Sequence, residues 1–114
     1  TTIYGIPNCD SVKKARKWLD SRGIRHDFVD FRKTPVEDKR LHTWFDRIGA
    51  EKLVNRRSTT WKSLSEADRA KVDAGDGPGL IEDNVTLIKH PVLEHGTTIM
   101  VGFSEAAYAE LFNQ

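Results

Sequence analysis

Apolar residues along this chain come in short runs whose spacing switches between the period of a strand and that of a helix. Thr2-Ile3-Tyr4-Gly5-Ile6 is β-branched and aromatic and is stopped by Pro7-Asn8, which predicts a first strand. From Ser11 onward Val12, Ala15 and Leu19 recur at helical spacing, Lys13, Lys14, Arg16 and Lys17 face elsewhere, and Gly23 supplies a stop. His26 to Phe31 resumes extended character, completing a βαβ unit with parallel strands and a right-handed crossover. Thr34-Pro35-Val36-Glu37 has the N-cap, N1 and N3 residues of a capping box, and Leu41, Trp44, Phe45 and Ile48 form the stripe of the helix it should open, ending at Gly49. A helical turn near Leu53-Val54 and a helix opened by Ser65-Glu66-Ala67-Asp68, with Ala67, Ala70 and Val72 inward, make the middle third all-helical. After a loop at Gly75-Asp76-Gly77-Pro78-Gly79, Val85-Thr86-Leu87-Ile88 and Thr98-Ile99-Met100-Val101 read as an antiparallel hairpin around Glu94-His95-Gly96-Thr97. Ser104-Glu105-Ala106-Ala107 caps a last helix with Tyr108, Leu111 and Phe112 inward. The predicted order is βαβ, helical block, ββα.

Composition narrows the function classes. With 114 residues, 38% of them hydrophobic and 31% charged, the chain suits one globular domain rather than a disordered tail. Lys plus Arg number 18 against 17 Asp plus Glu, so the net charge of +1 gives no global field for nucleic acid or anionic lipid. Lys13-Lys14-Ala15-Arg16-Lys17 lacks interleaved aromatics, and a nucleic-acid partner is not expected. No apolar run is long enough for a membrane span, and residues 1–16 lack the features of a signal peptide, so a cytoplasmic protein without a membrane partner is expected. His26, His42 and His95 share no metal-ligand spacing and read as surface residues, so no metal site is expected. The Gly75 to Gly79 loop lacks the preceding strand and following Lys of a phosphate loop. Trp44 lies on the apolar stripe and reads as core, whereas Trp61 closes a basic polar segment and is a candidate for shaping a cleft.

Candidate chemistry centres on Cys9, the one cysteine, which rules out an internal disulfide and a zinc site built on several thiolates. It falls between the first strand and the first helix, near unpaired backbone N–H groups at the positive end of the helix dipole, surroundings that favour a thiolate nucleophile. Asn8, Asp10 and Ser11 can cap or orient that turn. With no second cysteine, turnover as a reductase requires an outside thiol to form and resolve a mixed disulfide, and glutathione is the natural candidate.

Residues 3–19, Ile-Tyr-Gly-Ile-Pro-Asn-Cys-Asp-Ser-Val-Lys-Lys-Ala-Arg-Lys-Trp-Leu, resemble the opening of the arsenate reductase family with a thioredoxin-like fold, the ArsC/Spx/YffB group. Asn55-Arg56-Arg57-Ser58-Thr59-Thr60-Trp61 is similar to the arginine segment of that family's helical insertion. Ile88-Lys89-His90-Pro91-Val92 resembles its segment before a cis-proline, and Gly102-Phe103-Ser104-Glu105 its closing turn. Tyr-Gly-Ile-x-Asn-Cys-Asp and Arg-x-Thr-Thr-Trp lean towards the YffB branch. The resemblance implies an α/β fold: a thioredoxin-like mixed four-stranded sheet, residues 1–33 and about 80–114, with an all-helical subdomain inserted at about 34–79. It also implies that Cys9 is the catalytic thiol of a glutathione-dependent thiol reductase acting on a small-molecule or protein disulfide. Glutathione would be a cosubstrate and nothing would be tightly bound.

In arsenate reductases of this group three arginines surround the thiol and hold the oxyanion. Arg56 matches the first of them, Arg57 takes a neighbouring position where a base is tolerated, and His90 and Gly102 stand where the other two are expected. Arg56 is therefore the expected anchor for a glutathione carboxylate, Arg57 a second electrostatic contact and His90 a weaker one. Pro91 would present backbone to glutathione. Two alternatives remain: an arsenate reductase with a degraded anion site, and a Spx-like regulator that binds RNA polymerase. The regulator's usual Cys-x-x-Cys is here Cys9-Asp10-Ser11-Val12.

Overall fold

The computed structural model describes residues 1–75 and 78–114, without the side chains of Pro78 and Glu82. It forms two units, Thr1–Lys33 with His90–Gln114 and Thr34–Lys89. In the first unit β1 (Thr2–Gly5), α1 (Asp10–Ser21) and β2 (Asp27–Asp30) make the expected βαβ, and β1 pairs with β2 in parallel. The hairpin consists of β3 (Val92–His95) and β4 (Thr98–Val101), and β3 lies antiparallel to β1. The sheet order β2-β1-β3-β4 is the mixed four-stranded arrangement expected of a thioredoxin-like fold.

The strand expected at 85–88 is not one. Val85–Leu87 is a 3-10 turn and Ile88 makes a single bridge to Val54. Hydrogen bonds from Asn55 N–H to Leu87 O (2.8 Å) and from Lys89 N–H to Leu53 O (2.8 Å) tie this run to the helical unit. The boundary of that unit therefore falls after Lys89 rather than near residue 80. The hairpin turn is Gly96-Thr97; Gly96 has φ 59 while Thr97 keeps a negative φ, the combination of a type II′ turn.

Ile3, Ala15, Trp18, Leu19, Leu93 and Tyr108 form the core of the first unit. Each fully buried Leu or Ile contributes about 1.5–3 kcal/mol through removal from water. Trp18 meets Tyr108 edge to face at 5.8 Å. The closing helix, α7 (Glu105–Phe112), is capped as expected: Ser104 Oγ accepts the Ala107 N–H. Of the histidines read as surface residues, His42 is exposed and His26 and His95 are half-buried. His95 Nδ1 lies 2.7 Å from Thr1 Oγ1 and its ring packs on Phe112.

In the second unit α2 is Asp38–Ile48, starting later than the capping box predicts. Its first bond runs from Leu41 N–H to Glu37 O, so residues 34–37 lie before the helix, with Glu37 extended and Val36 half-buried. Leu41 and Trp44 are buried as expected. Then come α3 (Ala50–Leu53), α4 (Thr59–Ser63), α5 (Glu66–Asp73) and α6 (Pro78–Asp83). Val72 is the buried residue of α5, whereas Ala67 and Ala70, expected inward, are exposed. Of the loop expected at 75–79, Asp76 and Gly77 lie outside the described residues; Pro78 and Gly79 open α6 instead, Pro at a first helical turn being favoured because its missing N–H costs nothing there.

Candidate active site

Strand direction gathers the candidate groups of the first unit at one end of the sheet. Because β3 runs against β1 and β4 against β3, the C-terminal ends of β1 and β4 adjoin the N-terminal end of β3. Cys9 follows β1, His90-Pro91 precedes β3 and Gly102 follows β4.

The Cys9 turn is built locally. Cys9 N–H donates to Ile6 O at 3.1 Å, closing a four-residue turn with Pro7 and Asn8 at its centre. Pro fixes φ at the first central position and Asn8 stays at negative φ, which makes the turn type I. Cys9 is then the extended N-cap of α1 (φ −76, ψ 129), its carbonyl accepting the Lys13 N–H at 2.9 Å. Its side chain makes no capping hydrogen bond. Cys9 is half-buried, while Asn8, Asp10 and Ser11 are exposed. The Asp10 carboxylate shares the positive end of the α1 dipole with the sulfur.

His90 is half-buried with its ring edge-on to Phe31 at 6.1 Å. The His90–Pro91 bond is cis, as the family resemblance implies, and the buried Pro91 accepts the Gly102 N–H at 2.8 Å through its carbonyl. Gly102 has φ 81 and open space around it, so it adds room rather than a charge to this end of the sheet.

Gly5 holds these pieces together. A Cβ placed on it would stand 2.7 Å from Val12 Cγ2 and 3.4 Å from His90 Cβ. The first turns of α1 and the residue before the cis-proline thus close on Gly5 from two sides, an approach that only a glycine allows. A glycine inside a strand pattern is the sequence signal for such a contact.

Arg56 and Arg57 belong to the second unit. Arg56 Nη2 lies 2.6 Å from Asp73 Oδ1, Nη1 donates to Glu51 O at 3.4 Å, and its guanidinium carbon is 5.5 Å from the Trp61 ring centre. Both side chains of the ion pair are 40% exposed, so water screens it. Trp61 is buried, and Arg69 also approaches its ring, at 5.7 Å, while donating to Trp61 O and Lys62 O. Arg69 carries no motif and is not singled out by the sequence. Arg57 is exposed, its backbone N–H donating to Asn55 Oδ1 at 3.3 Å. The structure therefore brings Cys9, its turn neighbours and His90-Pro91 to one end of the first unit, and it ties Arg56 to partners within the second.

Among the described residues no cluster of three or more His, Cys, Asp or Glu could hold a metal ion, and no helix is long and apolar enough to cross a membrane. A model of the ArsC family matches residues 4–111. The chain is similar to the structure of a YffB protein, at 38% identity and TM-score 0.86 over 96% of each chain. It is 40% identical to an arsenate reductase (ArsC) related protein from Brucella melitensis, with TM-score 0.72 over 99% of this chain and 94% of that one. It is also 26% identical to the global transcriptional regulator Spx of Enterococcus faecalis, over 91% of this chain and 80% of that protein.

Proposed function

Because this chain belongs to the ArsC family across residues 4–111, we propose that it is a glutathione-dependent thiol reductase whose nucleophile is Cys9. The observation that carries this reading is the position of Cys9: a lone, half-buried thiol at the N-cap of α1, on the sheet end that also carries the cis His90–Pro91 segment. Backbone N–H groups of the first helical turn favour negative charge at that point. In the first step the Cys9 thiolate attacks one sulfur of a disulfide. A Cys9 mixed disulfide forms, the other sulfur leaves as a thiolate and takes a proton from water. In the second step glutathione thiolate attacks the mixed disulfide, so that Cys9 is returned reduced and the oxidising equivalent leaves with glutathione. A reducing compartment suits this cycle.

The test is to incubate the protein with oxidised glutathione and weigh it. One glutathione adduct, absent in Cys9→Ser and removed by reduced glutathione, is the expected result. An inert thiol, or disulfide-reductase activity retained in Cys9→Ser, overturns the reading. Arsenate is a poorer substrate on this reading, since the positions expected to carry the second and third arginines hold His90 and Gly102. Similarity to Spx favours a second reading, a regulator that contacts RNA polymerase. Co-purification with RNA polymerase by both the parent and Cys9→Ser, together with an inert thiol, would establish it in place of the first.

A further inference from the structure

A cavity of about 550 Å³ opens in the first unit between α1 and the segment leading into α7. Its lining includes Ser11, Lys14, Lys17, Trp18, Phe103 and Glu105. The size is that of a small-ligand cleft. Trp18 and Phe103 supply apolar lining, Lys14, Lys17 and Glu105 charged lining, and Ser11 of the lining is two residues from Cys9.

Charge sorts the lysines of α1. The Arg16 guanidinium is committed to the Phe28 ring at 4.2 Å, whereas Lys14 and Lys17 line the cavity. Among the described residues neither lysine is in an ion pair, and nor is Glu105. The cavity thus presents two cations and one anion with no partner of their own. Glutathione carries the inverse set, two carboxylates and one ammonium.

We infer that this cavity is the glutathione subsite, Lys14 and Lys17 receiving the two carboxylates and Glu105 the ammonium of the γ-glutamyl end. The inference rests on the function proposed above and supplies its recognition element. Reach agrees. Lys14 and Lys17 follow Cys9 by about 7.5 and 12 Å along the helix axis at 1.5 Å per residue, and their side chains lean back towards the N-terminus. An extended tripeptide spans at most about 10–11 Å end to end and carries its sulfur on the middle residue, so each charged end reaches about half that far from its cysteine, and the disulfide link and the long lysine side chains span the rest. A glutathione whose sulfur is joined to Cys9 can therefore lie along α1 with its charged ends in the cavity. The bond-making step is the exchange already given: the Cys9–glutathione disulfide forms and the second glutathione leaves as a thiolate that is then protonated.

The experiment measures second-order rates of Cys9 mixed-disulfide formation with three disulfides: oxidised glutathione, its N-acetylated form, which lacks the ammonium groups, and the neutral bis(2-hydroxyethyl) disulfide. Each rate is taken as a ratio to the neutral one, which cancels any change in the intrinsic reactivity of the thiol. In Lys14→Gln/Lys17→Gln the preference for oxidised glutathione over the neutral disulfide should fall roughly two- to thirty-fold, as expected for two exposed charge contacts. In Glu105→Gln the preference for oxidised glutathione over its N-acetylated form should disappear. Unchanged ratios in both variants overturn the inference. A loss in the lysine variant without one in Glu105→Gln also overturns it, because the cavity would then be collecting any anion. If Cys9 of the parent reacts with none of the three disulfides, it is the proposed function that fails, a result distinguishable from either of these.

Discussion

Gly5→Ala tests the tightest approach in the first unit. The new methyl would stand 2.7 Å from Val12 Cγ2 and 3.4 Å from His90 Cβ. Carbon atoms at rest lie about 3.5–4.0 Å apart, so α1 must retreat by roughly 1 Å or Val12 must leave its rotamer. Overpacking of this kind costs about 1–3 kcal/mol, and the lower entropy of the unfolded alanine chain returns about 0.4–1 kcal/mol. The net loss should be about 1–2 kcal/mol, or a fall in Tm of about 4–8 °C for a domain near this length. Retreat of α1 also carries Cys9, three residues before Val12, away from His90-Pro91. Thiol exchange at Cys9 should therefore slow along with the loss of stability. The decisive assay is a double-mutant cycle with Val12→Ala, followed by chemical denaturation and by the rate of thiol exchange. Deleting the two Val12 methyls makes room for the new one, so the double variant should be more stable than the sum of the single changes by about 1 kcal/mol or more, with the exchange rate partly restored. Strict additivity, or a Gly5→Ala protein as stable as its parent, would refute the steric account.

Tyr108 is 1% exposed and its hydroxyl has no hydrogen-bond partner among the described residues, so Tyr108→Phe should stabilise the fold by about 1 kcal/mol in chemical denaturation. Burial also pushes the phenol well above its ordinary value. The unfolded chain ionises near pH 10 while the folded one stays neutral, so the stability tied to the neutral form is full below about pH 10 and is lost as pH rises through the folded value. The advantage of Tyr108→Phe should widen above pH 10 by about 1.4 kcal/mol per unit, and a constant gap would contradict this. Arg56→Ala and Asp73→Ala should each cost about 1 kcal/mol or less, with a coupling of about 0.5 kcal/mol in their cycle, since the pair is partly exposed. A much larger loss for Arg56 would mean that the Trp61 contact dominates. Arsenate-dependent oxidation of glutathione should be negligible, because two missing charge-assisted contacts at about 1.5–3 kcal/mol each weaken oxyanion binding a hundredfold or more. His90→Arg should raise it more than Gly102→Arg, since a side chain at φ 81 is strained; robust activity in the parent would show the extra cations to be unnecessary.

Periodicity and turn chemistry alone determined β1, α1 and α7, because each pairs a clear apolar repeat with its own stop or cap: Pro7-Asn8, Gly23, Ser104. The same local logic put Cys9 at the start of a helix. Where two local signals competed, tertiary structure decided. The capping box at Thr34-Pro35-Val36-Glu37 is a valid helix start, yet Val36 is half-buried, and the helix waits for Asp38. Val85-Thr86-Leu87-Ile88 is apolar enough for a strand, but short apolar runs do not reveal their period. Its backbone is taken by Leu53, Val54 and Asn55, and the strand passes to Val92–His95. The lysines at 14 and 17 look like a solvated helix face from sequence, because nothing along the chain says that Phe103 and Glu105 lie across from them. Gly5 announces a close approach but not its partners, and Arg56 announces a charge but not the aspartate 17 positions on that holds it. Sequence period fixes which face of an element is buried; which other element covers that face is set by contacts between residues far apart in the chain, and these exist only once it has folded.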